Sequence, residues 1–449
     1  MPGWKELSDS VLKYDYCCGC GVCAGVCPHN ALEIRFNEYG EYKPYLVGNC
    51  TDCGLCSKVC PFANGNPNED DIGKAKFGHI QGIKHTPETG YYLKTYVGYA
   101  GDPEMRWNGA SGGLTTWLLC TLLEKQLVDH VITVSPTGDT EKVFEYRILD
   151  NVADVMNCSK SAYYPVELSE AMKFVRQNNG RFALVGLPCF VKAVELAKKA
   201  CPVINKRLLF TVGLVCGHLK SKRYAEYIAH LAGVSGQLRR VNFRVKDLCQ
   251  PANNYAFEAD DVNGSKGKLF YDQGVSSVWC SGWFCLNACR YCDDVFAECA
   301  EIVFCDAWLN DYSKSPEGTN LVIDRARLLN AGGDDGSRPI VVDPIPIDDV
   351  IRSQLGVLVR KRSWIAANTP IERSGYSPVK RITKFKKANW FRKLKNRKYA
   401  LEILKSRCWA DRRLNARARC AEIPLTAAIV MCGAIIKVTN WLLYRRRGR

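Results

Sequence analysis

Eight cysteines near the N-terminus carry the clearest chemistry in the chain. They read C-x-x-C-x-x-C-x-x-x-C-P twice, as Cys17, Cys20, Cys23, Cys27 and Pro28, then Cys50, Cys53, Cys56, Cys60 and Pro61. Every position of the first run recurs 33 residues later, so the segment is an internal duplication. Three thiolates on one tight loop suit three irons of a cubane, and the fourth Cys, followed by Pro, is directed at the partner cube. The expected ligands are therefore Cys17, Cys20, Cys23 and Cys60 for one [4Fe-4S] cluster, and Cys50, Cys53, Cys56 and Cys27 for the other. Disulfides do not demand two identical runs, and zinc sites usually come as separated C-x-x-C pairs. Cys18 lies outside the pattern and reads as a bystander.

Further along, Gly186-Leu-Pro-Cys189 and Val215-Cys216-Gly217 each follow a buried-looking strand. Both cysteines then sit at strand C-terminal ends, where open α/β sheets bind ligands. Cys289-x-x-Cys292 lies in a segment that also holds Cys280, Cys285, Cys299 and Cys305. The residues alone leave three readings open: a third cluster on Cys189, Cys216, Cys289 and Cys292, a redox dithiol, or buried free thiols. Asn108-Gly-Ala-Ser-Gly-Gly113 precedes an apolar helical segment. Glycines there let a phosphate approach the backbone, Ser111 can cap, and a helix N-terminus favours an anion, although an ordinary cap would look the same.

The elements that position these groups follow from periodicity. Residues 1–66 form a small two-cluster unit whose midpiece, from Ala31 to Val47, alternates like a hairpin turning at Gly40. The turn-rich run Asn64–Asp71 opens a linker over residues 67–90. Strand patterns at Thr95–Tyr99, Val131–Val134, Phe182–Val185 and Leu208–Val215 alternate with helical ones at Gly113–Lys125, Phe190–Lys199 and Lys222–Ala232. That order predicts a partly parallel sheet covered on both faces. The chain is expected to become loop-like at Gly332–Gly336 and Pro339–Pro346, with the body closing near Val359. No G-x-G-x-x-G or P-loop occurs, so a Rossmann fingerprint is absent.

At 449 residues the chain is too long for one core, and its polar start carries no apolar leader stretch. Its 24 cysteines therefore argue for a reducing cytoplasm and metal clusters. The net charge of +16 is unevenly spread. From Arg373 to Arg449 there are 22 Lys and Arg against three acids, which leaves the preceding body near −3.

The body resembles the beta subunit family of coenzyme F420 hydrogenase/dehydrogenase. The match runs in order through Gly109-Ala-Ser-Gly-Gly-Leu-Thr-Thr116, Leu127-Val-Asp-His-Val131, Cys158-Ser-Lys-Ser-Ala-Tyr163, Val185-Gly-Leu-Pro-Cys189, Gly213-Leu-Val-Cys216, Phe243-Arg-Val-Lys246, Cys289-Arg-Tyr-Cys292-Asp and Cys305-Asp-Ala-Trp308. It covers about residues 90–360, with N-terminal (91–175) and C-terminal (176–362) regions and the 2[4Fe-4S] ferredoxin unit as a frequent companion. The resemblance implies FAD bound near the Ser-Gly-Gly turn, a [4Fe-4S] cluster in the same domain, and hydride exchange with deazaflavin or another substrate. Ser111, Gly112, Gly113 and Thr115 would face the phosphates, with Lys160 as a cationic partner. The family usually has Cys-His-Gly where this chain has Cys216-Gly217-His218. It also has Asp-Ile and Gly-Asp where this chain has Glu301-Ile302 and Cys305-Asp306. These departures leave the substrate open and make Cys285 and Cys305 rival ligands. His218 reads as structural, since nothing marks a paired acid.

Residues 373–421 are rich in Lys and Arg interleaved with Trp390, Phe391, Tyr399 and Trp409, and Ile423–Tyr444 is about 22 residues with one charge, Lys437. That length could cross a bilayer. The internal lysine and two basic flanks favour instead a helix in the membrane interface, or one packed on the body or a partner. No nucleic-acid motif accompanies the basic run.

The expected fold is an α+β ferredoxin-like unit joined to a larger α/β mixed-sheet flavin/Fe-S domain with a basic helical C-terminal tail over 373–449. The expected function is an iron–sulfur flavoprotein oxidoreductase, cytoplasmic or peripheral on the inner membrane face. It would exchange hydride with coenzyme F420 or NAD(P)H at FAD, and single electrons with ferredoxin or a partner subunit. The alternatives are an electron-transfer or adaptor subunit, or a reductase of a tetrapyrrole, sulfite or glycan-related substrate.

Overall fold

Glycine places the two cysteine runs. Gly21 and Gly54 both take the left-handed conformation (φ 76°) just before one-turn helices at Val22–Gly25 and Leu55–Lys58, a backbone that costs other residues about 1–2 kcal/mol. The duplicated spacing thus folds as a duplicated turn. Between the two copies, β1 (Leu32–Phe36) and β2 (Tyr42–Leu46) form the expected hairpin, with Phe36 opposite Tyr42 and Gly40 (φ 70°) in the turn. The structure, a computed structural model, describes residues 3–332, 338–368, 390–412 and 426–436.

Residues 67–90, expected as a linker, instead hold the helix Glu69–Phe77 and a hairpin of β3 (Lys84–Thr86) and β4 (Gly90–Tyr92). Asn68 and Asp71 cap that helix reciprocally. Buried ion pairs then bind it to the larger body: Glu69 with Lys192 at 3.2 Å, and Lys76 with Glu195 at 2.7 Å and Glu301 at 2.6 Å. Turn formers announced a break in the chain, but these ion pairs show that the helix packs on the body.

The body is built on β5 (Lys94–Ala100), β6 (His130–Pro136), β7 (Phe144–Leu149), β8 (Phe182–Gly186), β9 (Leu208–Leu214), β10 (Leu238–Val245), β11 (Ala256–Asp261), β12 (Lys266–Phe270), β13 (Ile302–Asp306), β14 (Asn320–Asp324) and β15 (Ile340–Pro344). Eight of these make one mixed sheet in the order β15-β5-β14-β13-β9-β8-β6-β7, and β10–β12 form a separate antiparallel sheet. The central strands β13, β9, β8 and β6 are mutually parallel, and the flanking pairs are antiparallel. Adjacent residues divide between the two faces. Val131 and Ala183 pack with the helix Leu114–Glu124, whereas Ile132 and Leu184 pack with the helix Pro188–Ala200. Burial on both faces explains why β8 reads as an unbroken apolar run.

Pro339–Pro346, expected to be a loop, contains β15, which pairs with β5 from Ile340–Ala100 to Pro344–Tyr96. Its prolines are tolerated because β15 is an edge strand, with one side free of ladder bonds. The body does not close at Val359 either, since the helix Leu355–Asn368 runs through it.

Within the tail, one described helix packs on the body. In the helix Trp390–Arg412, the residues Asn396, Tyr399, Glu402, Ile403 and Ser406 are buried at helical spacing. Glu402 accepts from Trp283 Nε1 at 2.7 Å, Ser406 Oγ accepts from Phe284 N at 2.8 Å, and Arg407 binds both Asp15 and Glu41 at 2.8 Å. Lys393, Lys395 and Arg397 are exposed. Of the apolar segment Ile423–Tyr444, residues 426–436 are helical, and its two ends lie outside the described residues, as do residues 373–389. Among the described residues, no helix is long and apolar enough to cross a membrane.

Candidate functional site

The cysteines gather into three groups. In the first, Cys60 joins the N-terminal run. Burial pushes its thiol up to about 12, with repulsion from Cys17 adding to the effect, and Cys23 is raised by burial and by Cys17 and Cys60. Cys20 feels Cys23 and Cys60 as well. In the second group, burial pushes Cys56 up to about 11 with Cys50 and Cys53 as neighbours, and Cys27 joins these three around one small cavity. Both groups draw their fourth member from the other run. Amides donate to sulfur in each, from Gly19 to Cys17, from Ala31 to Cys27 and from Asp52 to Cys50, all at 3.4 Å. Among the described residues no His, Cys, Asp and Glu close in tightly enough for a single metal ion. A cubane, which spreads its ligands over four irons, needs wider spacing.

The third group surrounds a lysine. Lys361 Nζ donates to Cys292 Sγ at 3.5 Å and to the Asp294 carbonyl at 2.6 Å. Burial pushes Cys216 up to about 12, opposed by Lys361 and reinforced by Cys189 and Cys292. Cys289 is raised by burial and then by its neighbours Cys285 and Cys216, and it accepts from Leu219 N at 3.1 Å. Cys189, Cys216, Cys289 and Cys292 thus converge. Of the two rivals, Cys285 contacts Lys220 (3.4 Å) and Tyr399 (3.3 Å), and Cys305 faces the large cavity described next. Cys18 is no bystander: its thiol lies within hydrogen-bonding reach of both Cys20 and Cys189, and so between the first group and the third.

That cavity has a volume of about 610 Å³, within the range of cofactor sites. It opens at the C-terminal ends of β6, β8, β9 and β13, and its wall includes Ser111, Gly113, Thr115 and Lys160. Cys216 lines it too, so the third thiol group and the cavity share a wall. Gly112 does not line it. A Cβ there would lie 2.7 Å from the Gly98 carbonyl oxygen and 2.9 Å from Asn320 N, so this glycine serves close packing. Nor does Ser111 cap the helix: its hydroxyl donates to the Thr319 carbonyl at 2.6 Å, and Asn320 Oδ1 accepts from Leu114 N at 3.1 Å. Gly113 (φ 80°) supplies the left-handed residue at the helix start.

The rim is cationic. Arg244 makes a two-pronged ion pair with Asp306 at 2.8 and 2.9 Å. Lys246 donates to the carbonyls of Arg106, Ser111 and Glu317 at 2.6, 2.7 and 2.5 Å, clamping the Ser-Gly-Gly turn from beneath. Burial, with Arg244, Arg106 and Lys160 close by, pulls its pKa down to about 7. Burial also lowers Lys160, and it lowers His218 well below the usual range, helped by Lys220, Arg360 and Lys361. Arg360 lies 3.2 Å from His218 Nδ1 and can only donate, so Nδ1 accepts and the imidazole proton sits on Nε2, which has no hydrogen-bond partner among the described residues. An anionic, multi-oxygen ligand of dinucleotide size fits such a wall. Residue type alone does not single out Arg244, Lys246, Asp306, Arg360 or Lys361. The first two fall in the Phe243–Lys246 motif and Asp306 in Cys305–Trp308. Arg360 and Lys361 carry no local signal.

Comparison with known proteins is consistent with this architecture. A 4Fe-4S dicluster domain matches residues 16–64. The Methanocaldococcus jannaschii coenzyme F420-dependent sulfite reductase is 25% identical over 353 residues, 72% of this chain but 46% of the reductase. The chain thus spans about half the length of that relative. A subunit of the F(420)H(2) dehydrogenase of Methanosarcina mazei is 23% identical over 331 residues, 71% of this chain and 81% of the dehydrogenase subunit. A chain of the xenon-derivatised F420-reducing [NiFe] hydrogenase complex from Methanosarcina barkeri superposes with a TM-score of 0.47 at 15% identity, covering 66% of this chain and 98% of its own. The family described as coenzyme F420 hydrogenase/dehydrogenase, beta subunit, matches with its N-terminal part at residues 95–173 and its C-terminal part at 179–332, the two stretches that supply the strands and turns around the cavity. The chain belongs to the coenzyme F420 hydrogenase/dehydrogenase beta subunit family.

Proposed function

We propose that this oxidoreductase couples hydride exchange at an FAD in the large cavity to single-electron transfer through three [4Fe-4S] clusters. Coenzyme F420 or a related carrier is the proposed hydride partner. The observation that carries the proposal is the shared wall. Cys216 belongs both to the cavity and to the third thiol group, and Cys18 links that group to the dicluster domain. When bound, the flavin supplies conversion between two-electron and one-electron transfer. The chain's own residues bind and orient it. Gly113, Thr115 and the helix N-terminus face its phosphates, and Lys160 and Arg244 balance negative charge. Lys246 holds the Ser111 turn in place.

The proposed ligand sets are Cys17, Cys20, Cys23 and Cys60; Cys50, Cys53, Cys56 and Cys27; and Cys189, Cys216, Cys289 and Cys292. Cys50 and Cys53 are exposed, so the proposed exchange with ferredoxin or a partner subunit occurs at the outermost cluster. Exposed Lys393, Lys395 and Arg397 support peripheral attachment to an anionic membrane face as part of this reading. The test is anaerobic purification with iron and flavin quantified per chain, followed by titration with reduced F420 and NADH. About twelve irons with one FAD, bleached by one of these donors, is the expected result. About eight irons and no flavin would reduce the chain to an electron relay.

A further inference from the structure

Two neighbouring cations on one helix reach different parts of the site. In the helix Leu355–Asn368, Arg360 meets His218 at the cavity wall, and Lys361 turns to the thiols. Lys361 is only 2% exposed. Its ammonium bonds go to one carbonyl and one sulfur, and the Asp294 carboxylate is also close. The helix lies beyond residue 332, where the matched C-terminal part of the family ends.

A fully buried ammonium costs several kcal/mol to desolvate unless strong negative charge lies beside it. Four thiolates holding a cubane provide such charge, and the assembly becomes more negative on reduction. A fixed cation touching a ligand sulfur therefore favours the reduced form, because net charge and hydrogen bonds to sulfur set the potentials of these centres. Resting on the third-cluster reading above, we propose that Lys361 is the resident counter-charge of the Cys189, Cys216, Cys289 and Cys292 centre and raises its reduction potential. The centre closest to the cavity is thereby held as the better one-electron acceptor for the cofactor bound there.

The test is an EPR-monitored redox titration of the full-length, anaerobically reconstituted protein, with Cys289→Ser identifying the signal of this centre by its loss. In Lys361→Met the protein is expected to keep about twelve irons while this signal alone moves to lower potential. At the unmodified protein's midpoint, the oxidised-to-reduced ratio of this centre would rise about tenfold, or 59 mV for a one-electron couple. Lys361→Arg, which keeps the charge, should restore the midpoint. An unchanged midpoint in Lys361→Met with all irons present overturns the assignment. Should Lys361→Met lose four irons, Lys361→Arg decides: full iron at the original potential supports the counter-charge, and loss there too means that Lys361 only packs. Eight irons in the unmodified protein would instead remove the third cluster, and this assignment with it.

Discussion

Lys246 illustrates how a residue can serve a site without facing its ligand. Its three carbonyl contacts hold the Ser-Gly-Gly turn, yet the same burial among cations draws its pKa from 10.5 to about 7. The unfolded chain keeps this proton up to the usual lysine range, whereas the folded protein releases it near neutrality. Between those limits the unfolded state binds more protons, so this residue makes stability rise with pH from about 7 towards 10. Denaturant midpoints measured across that window should show the slope, and Lys246→Met should flatten it while weakening flavin affinity. Of the residues picked from sequence, Ser111, Gly113, Thr115 and Lys160 line the cavity. Gly112 was legible as a required glycine, but the reason is the backbone of β5 and Asn320 behind it. His218 keeps its neutral form through burial, Lys220 beside it and two cations of the distant helix Leu355–Asn368, and no local pattern carries the last of these.

At the scale of elements, the Ser-Gly-Gly turn is a packing joint between the helix Leu114–Glu124 and two strands. Gly112→Ala must push against the Gly98 carbonyl and Asn320, at a cost of about 2 kcal/mol. We expect a lower thermal midpoint together with loss of flavin binding, because the turn shifts toward the cavity. An unshifted midpoint would show that the turn is looser than its contacts imply. In the body, the strands β5, β6, β8 and β9 and the helices Leu114–Glu124, Pro188–Ala200 and Lys222–Leu231 were legible, the strands as short apolar runs and the helices by their 3.6 period. β15 and the helix Glu69–Phe77 were not, since proline and turn formers mask an edge strand and a capped helix start.

Across the whole molecule the thiol groups form a line from exposed Cys50 and Cys53, through Cys17, Cys20, Cys23 and Cys60, past Cys18, to the group that borders the cavity. The tail helix braces two parts of this arrangement. Arg407 grips Asp15 and Glu41 beside the first cysteine run, while Tyr399 and Ser406 pack on Cys285 and Phe284 near the third. Truncation before Trp390 should therefore cost more than about 3 kcal/mol in anaerobic unfolding, since several large side chains lose their burial. A tail that acted only as a surface anchor would leave the unfolding midpoint unchanged when removed.

Spacing and periodicity in the chain were enough to read the dicluster unit and the mixed α/β body, and they gave the expectation of a crossed pairing of the unit's cysteines. Each of these is written in spacing within a few tens of residues or in a local period. The folded contacts, and no pattern in the chain, bring distant cysteines together, set Cys18 between two groups, carry Arg360 and Lys361 into the site and bury one face of the helix Trp390–Arg412. Those outcomes depend on contacts between residues as much as 392 positions apart, such as Arg407 and Asp15. Burial and charge compensation in the folded state, rather than any local preference, select such contacts.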